Sequence, residues 1–279
     1  MVYAPDQPLA LIAGTGELPE LILEARAASG ASTYIIAIKD QTPTSLTAHH
    51  PHGWFRIGAV GAMLEELRAQ GITQLAMAGR ITRPSLPHLF PDAEGRALLK
   101  ALGGSLLTGD NQLLSRIINF LEARGVQVVG AHEIGASLTV QANILTHTKP
   151  DPLHYEDART AIALLNAIAA FDVGQAVIMQ AGCVLGIEGV EGTHALIERC
   201  APFINPHERG AVLVKLPKAS QDLRADMPSV GIHTLHALAK GKYAGLFIAA
   251  EHTLVLGKEA MIAQANHDKL FMEALALSS

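Results

Sequence analysis

The sequence predicts an α/β protein built from two units, and three observations carry this. Short apolar runs alternate with stretches whose apolar residues recur at helical spacing, and glycines close several of those stretches. The composition is 49% hydrophobic but only 4% aromatic, with 25 glycines, which suits helices packed closely on strands. At 279 residues the chain is long for one domain and ample for two compact ones.

Pro8 to Ala13 reads as a short buried strand that runs into Gly14-Thr15-Gly16-Glu17-Leu18-Pro19. Leu18, Leu21, Ile22 and Ala25 then mark one face of a helix that Gly30 ends, and Ser32 to Ile38 is the next strand. This is a βαβ opening. Val60, Met63, Leu64 and Leu67 form a second helical stripe closed by Gly71, and Gln74 to Ala78 is a strand ending at Gly79-Arg80. The three prolines between Thr82 and Asp92 indicate a structured loop, and His49, His50 and His52 read as surface loop. Asp110 is placed to cap a helix with Leu113, Leu114, Ile117, Ile118 and Leu121 inward, before a strand at Val126 to Val129.

From about Glu133 to Pro152 no period holds, so the units are expected at 1–135 and 153–279 with a linker at 136–152. In the second unit Ala158, Ile162, Leu165 and Ala169 share a helical face. Gln175 to Met179, Val184 to Glu188, Ala211 to Lys215 and Ala244 to Ala249 read as strands. Thr193 to Cys200, Val230 to Ala239, Glu259 to Ala265 and Asp268 to Leu275 read as helices.

Bulk properties exclude several classes. A formal charge of -5 argues against a general nucleic-acid binder. Two cysteines, Cys183 and Cys200, lack metal-ligand spacing and read as buried thiols of a reducing compartment. No leader pattern opens the chain and no apolar run approaches a membrane span, so a cytoplasmic protein is expected. The 13 histidines form no HExxH, and GxSxG is absent.

Five stretches carry candidate chemistry. Gly14-Thr15-Gly16 reads equally as a tight turn or as a contact for a nucleotide or polar ligand. A nicotinamide site is the weakest reading, because GxGxxG is incomplete and Asp40 is the nearest acid for a ribose. Arg80 and Arg83 follow a strand end, where open sheets bind ligands and a guanidinium suits oxyanions; solvated loop arginines are the equal alternative. Asp110 reads first as a helix cap and second as a magnesium contact. Glu191 and Thr193 sit in a glycine-flexible turn, either capping it or approaching an anion or metal. The densest cluster runs from Lys215 through Lys218, Gln221, Asp222 and Arg224 to Asp226. Pyrophosphate cleavage needs such a mixture, with cations to offset charge on transferring oxygens and carboxylates to hold Mg²⁺ or orient water.

Five stretches in order, LIAGTGELP, MAGRITRPSL, LLTGDNQLLSRIINFLEARGVQVVGAHEI, EGVEGTHALIERC and RGAVLVKLPKASQDLRADMPSVGIHTL, span nearly the whole chain. Together they resemble the LpxI-type UDP-2,3-diacylglucosamine pyrophosphatases of lipid A synthesis. The resemblance implies a Rossmann-like N-terminal domain, a mixed α/β C-terminal domain and an interdomain cleft for substrate. It also implies hydrolysis to UMP and 2,3-diacylglucosamine 1-phosphate (lipid X) with Mg²⁺ or Mn²⁺, at the cytoplasmic face of the inner membrane. Weak contact with that membrane surface and a homo-oligomer are the accompanying expectations. Asp222 and Asp226 are carried over as catalytic and metal residues, with Lys215 and Arg224 on phosphate. Glu191 and Thr193 match a family turn, and with Gly14, Thr15, Gly16, Arg80, Arg83, Asp110, Lys218 and Gln221 they are expected on substrate. Three departures stand out: Asn111 and His194 each occupy a position where the family has aspartate, and Glu251-His252-Thr253 replaces Glu-Ala-Gly. They keep a non-catalytic nucleotide-sugar or lipid sensor as the alternative reading.

Overall fold

The structure is a computed structural model that describes residues 3–82, 89–103, 110–171, 173–218 and 221–277, with backbone alone at 110 and 111. The chain divides into two compact units, Met1–Ala136 with Asp222–Asp226, and Ser137–Gln221 with Met227–Ser279. A five-residue piece from late in the sequence thus belongs to the first unit.

The first unit runs β1 (Leu9–Ala13), α1 (Leu18–Ala28), β2 (Thr33–Ile38), α2 (Thr44–Thr47), β3 (His52–Phe55), α3 (Val60–Ala69), β4 (Gln74–Ala78), α4 (Ala93–Leu102), α5 (Asp110–Glu122), β5 (Gln127–Val128) and α6 (Ala131–Ile134). Its sheet is parallel, in the order β3-β2-β1-β4-β5, so the winding reverses between β1 and β4. Consecutive residues Leu9, Ala10 and Leu11 are all fully buried, as a strand covered on both faces requires. One face carries Ala10, Ile36 and Leu75 against Leu64 and Leu67 of α3 and Ile118 and Leu121 of α5.

The second unit runs β6 (Asn143–Ile144), α7 (Pro152–Ile168), β7 (Ala176–Gln180), β8 (Cys183–Ile187), α8 (Gly192–Cys200), β9 (Val212–Lys215), β10 (Ser229–Val230), α9 (Ile232–Lys240), β11 (Gly245–Ala249), β12 (Leu254–Val255), α10 (Lys258–His267) and β13 (Phe271–Leu275). Its six-stranded sheet has the order β6-β13-β11-β9-β7-β8. The centre β13-β11-β9 is parallel and both flanks are antiparallel, so the sheet is mixed. β10 and β12 form a separate parallel pair. Ile178, Leu213, Leu246 and Met272 face a core shared with α8, α9 and α10, while Val177, Val214, Phe247 and Phe271 face α7.

Four expectations change here. Asp268 to Leu275, expected helical, ends in β13, a strand hydrogen-bonded on both sides. Its Met, Glu, Ala and Leu favour helices, but burial between two strands overrides that weak preference. His52 opens edge strand β3 instead of lying in a loop, because its backbone pairs with Ile35. Ala93–Leu102, unassigned from sequence, is a helix whose first turn is capped by Asp92 accepting from Gly95 N at 2.7 Å. Cys200 is buried as expected but Cys183 is exposed, since it starts the outermost strand β8.

A buried carboxylate locks the hairpin between β7 and β8. Asp157 of α7 is fully buried and accepts from Ala181 N at 3.1 Å and Gly182 N at 2.7 Å, while Arg209 pairs with it at 3.1 Å. Removing one partner of such a group strands the others. Asp157→Ala is expected to lower unfolding free energy by roughly 3 kcal/mol, read by urea denaturation.

Candidate active site

At the reversal in the first sheet, the loops after β1 and β4 are bound to each other. Gly14 N donates to Ala78 O at 2.8 Å, Thr15 N to Arg80 O at 3.0 Å, and Arg80 N to Thr15 O at 2.8 Å. A Cβ on Gly14 would overlap the Arg80 carbonyl, and Gly79 has φ +85° with the Thr15 carbonyl alongside. The glycines are therefore required by this backbone approach. The turn lies at the C-terminal edge of the strands beside the start of α1, which is where open parallel sheets receive ligands. Arg83 lies outside the described residues, and so does the side chain of Asp110, the first residue of α5.

The Asp222–Asp226 piece forms one turn on this unit, with Asp226 N donating to Asp222 O at 3.1 Å. Asp222 and Asp226 are thus brought to one turn. Arg224 folds back on Asp222 through Nε to Oδ1 at 2.9 Å and Nη2 to Oδ2 at 2.8 Å. Its Nη1 reaches Glu122 of α5 at 2.6 Å. The Arg224 hydrogen bonds hold the Asp222 carboxyl below the usual carboxylate range, against the opposing effect of partial burial. Ala225 packs on the core face built from α3 and α5.

In the second unit Lys215, at the end of β9, is only 7% exposed. Its ammonium donates to Thr193 Oγ1 at 3.0 Å and to Ser229 O at 2.8 Å. Thr193 in turn donates to Glu188 Oε1 at 2.6 Å, and Glu188 Oε2 accepts from Gln175 N at 2.8 Å. A buried cation and a buried carboxylate are thereby linked through one hydroxyl. Lys215 and Thr193 were expected in the site; Glu188 is the residue that sequence reasoning passed over in favour of Glu191. Glu191 is exposed and accepts from Gly189 N at 3.1 Å and from Arg199 at 2.9 Å. Its own backbone N–H and Arg199 lower its pKa. The available signal was position, because Glu188 directly follows strand β8 whereas Glu191 lies in the open turn. Lys218 and Gln221 close a turn, Gln221 N donating to Lys218 O and Lys218 N to Gln221 Oε1, each at 3.0 Å. His194, at a family aspartate position, is an exposed residue 3.7 Å from Glu198.

Residues 8–138 match the LpxI N-terminal domain and residues 141–273 the LpxI C-terminal domain. The chain is 33% identical over 269 residues to the UDP-2,3-diacylglucosamine pyrophosphatase LpxI of Caulobacter vibrioides, covering 95% of this chain and 96% of that protein. The chain belongs to the LpxI family. The family's C-terminal domain includes the Asp222–Asp226 piece that folds with the first unit.

Two outcomes follow. A carboxyl whose folded pKa is depressed stabilises the fold above its unfolded pKa, near 3.9, and that contribution disappears as pH falls through the lower folded value. Urea unfolding of Asp222→Asn should therefore show a stability deficit that is constant above about pH 5 and shrinks below about pH 4. Thr193→Val removes the hydroxyl between Lys215 and Glu188, and should cost about 1–3 kcal/mol by the same assay.

Proposed function

We propose that this protein hydrolyses the pyrophosphate of UDP-2,3-diacylglucosamine to UMP and 2,3-diacylglucosamine 1-phosphate (lipid X), a step of lipid A biosynthesis. The observation that carries this reading is the likeness to the Caulobacter enzyme along 95% of the chain, with both LpxI domains present. The strand order of the first unit supports a Rossmann-like reading of that domain, with the Gly14-Thr15-Gly16 turn and Arg80 beside the substrate. An interdomain cleft for the substrate remains part of the proposal.

Water attacks a pyrophosphate phosphorus and one P–O bond breaks, with no covalent enzyme intermediate. Lys215, oriented by Thr193 and the Ser229 carbonyl, offsets charge on the transferring oxygens. Arg224 acts as a positioning residue that sets the orientation of Asp222. Among the described residues no three His, Cys, Asp or Glu side chains cluster as a complete metal cage. Mg²⁺ usually takes one or two carboxylates and completes its shell with water and substrate phosphates, so the Asp222–Asp226 turn fits it in kind. Both oxygens of Asp222 engage Arg224, and the assignment is shared by Asp222 and Asp226. When bound, Mg²⁺ or Mn²⁺ supplies Lewis-acid polarisation of the phosphate oxygens.

No described helix is long and apolar enough to cross a membrane. Action at the cytoplasmic face of the inner membrane, by weak surface contact and as a homo-oligomer, belongs to the same proposal.

The test is UMP release from UDP-2,3-diacylglucosamine with Mg²⁺, with Mn²⁺ and with chelator. Turnover is expected with metal and its loss with chelator, and Asp226→Ala should lower kcat by roughly 10²–10³-fold. Folded wild-type protein that releases no UMP beside an active control would sink the hydrolase reading. Near-normal turnover in both Asp222→Ala and Asp226→Ala would sink the carboxylate assignment.

A further inference from the structure

The first unit holds a pocket of about 390 Å³ over the C-terminal ends of β2 and β3. That volume falls within the range of small-molecule sites, roughly 300–1,000 Å³. Ile38 and Ile57 supply apolar lining, Lys39 and Arg56 two cations, Asp40 and Gln41 polar groups, and Phe90 an aromatic ring. No side-chain hydrogen bond or ion pair engages Lys39, Asp40 or Arg56 among the described residues. The pocket adjoins the ligand-receiving loops: Gln41 Oε1 accepts from Thr82 N at 3.0 Å, just past Arg80, and Thr42 donates to the carbonyl of Ala13 at the end of β1.

Phe90 is the unusual member. The residue is 63% exposed and its φ is +38°, a left-handed conformation that bulky side chains rarely adopt. The segment that carries it is packed closely on the start of α3. A Cβ on Gly58 would overlap the Leu89 carbonyl, so only glycine lets this segment approach α3 so closely. Next to Phe90, the Asp92 carboxylate accepts from Gly95 N at 2.7 Å and from Gly61 N at 2.8 Å, joining the starts of α4 and α3. Strain held in place by its neighbours, on a solvent-facing aromatic over a cationic pocket, fits a side chain kept for binding.

We propose that this pocket is a nucleoside-phosphate subsite that takes the UMP portion of the substrate, an inference that rests on the hydrolase reading above. Phe90 stacks on the base, which is sequence-tolerant chemistry available to any nucleobase. Arg56 and Lys39 meet the phosphate. Asp40, at the end of the second strand, stands where an acidic residue accepts from ribose hydroxyls in dinucleotide-binding sheets.

The experiment is isothermal titration of the full chain with UMP, uridine and inorganic phosphate, run beside the UMP-release assay. UMP is expected to bind more tightly than either fragment. Phe90→Gly should weaken UMP binding roughly ten- to hundredfold while raising Tm, because glycine relieves the positive φ. Phe90→Tyr should retain binding, and Arg56→Gln should weaken UMP but not uridine. In turnover, Phe90→Gly should raise KM more than it lowers kcat. Undetectable UMP binding by wild type, or equal binding by wild type and both Phe90→Gly and Arg56→Gln, would overturn the subsite. A fall in Tm with Phe90→Gly would also overturn it, by making Phe90 a packing residue. Normal KM in Phe90→Gly would overturn the subsite and leave the hydrolase reading standing. Phe90-dependent UMP binding without wild-type turnover would support the subsite and sink the hydrolase reading.

Discussion

The guanidinium of Arg224 is the constraint on which the candidate functional face of the first unit depends. It grips Asp222 by two bonds and Glu122 by a third, and so fastens a short piece of late sequence to a helix from the first half of the chain. A lysine in that place would supply charge without the planar fork, and two carboxylates could not both be held in fixed orientation. The candidate catalytic carboxylates inherit their placement from this clamp. Their turn is too short to fold by itself, because one hydrogen-bonded turn fixes more backbone freedom than it repays.

The second unit solves a different problem with similar parts. Lys215 and Glu188 are both buried, and neither charge is tolerable alone in a low-dielectric setting. Thr193 links them by accepting from one and donating to the other. Rigid, fully hydrogen-bonded charges reorganise little during a reaction, which is the property that phosphoryl transfer asks of its surroundings. The mixed sheet supports this arrangement, since Lys215 pairs in register with Ile248 of a parallel neighbour and Ala176 of an antiparallel one.

Most of the architecture was legible in the sequence because its signals are local. The helical stripe at Val60, Met63, Leu64 and Leu67 became α3, and all four residues are buried. The strand at Gln74 to Ala78 appears with those bounds. β13 was not legible, because Phe271–Leu275 becomes a strand only when β11 and β6 flank it, and those partners are distant in sequence. The candidate site was legible in composition more than in geometry. The mixed-charge connector pointed to Lys215 and Asp222, and the glycine turn to the end of β1. That Arg224 would face carboxylates, that Glu188 rather than Glu191 would join Lys215, and that Phe90 would stand exposed at a strained angle all depend on side chains meeting across the fold. No one-dimensional pattern records such meetings.

The discontinuous makeup of the first unit also bears on how the molecule comes to be. Residues 222–226 complete a unit whose other residues end at 136. A nascent chain that has emerged only as far as Ala136 therefore carries an N-terminal unit with Glu122 still awaiting Arg224 and part of its core still awaiting Ala225. Domains generally fold in order of synthesis, but here the earlier one is finished only after most of the later one has been made. Cutting the gene at the family boundary near residue 140 would yield two fragments, one of which lacks its own last piece. The N-terminal half therefore draws its last five residues from the half made after it, so a transfer of that half alone to another protein would leave the piece behind.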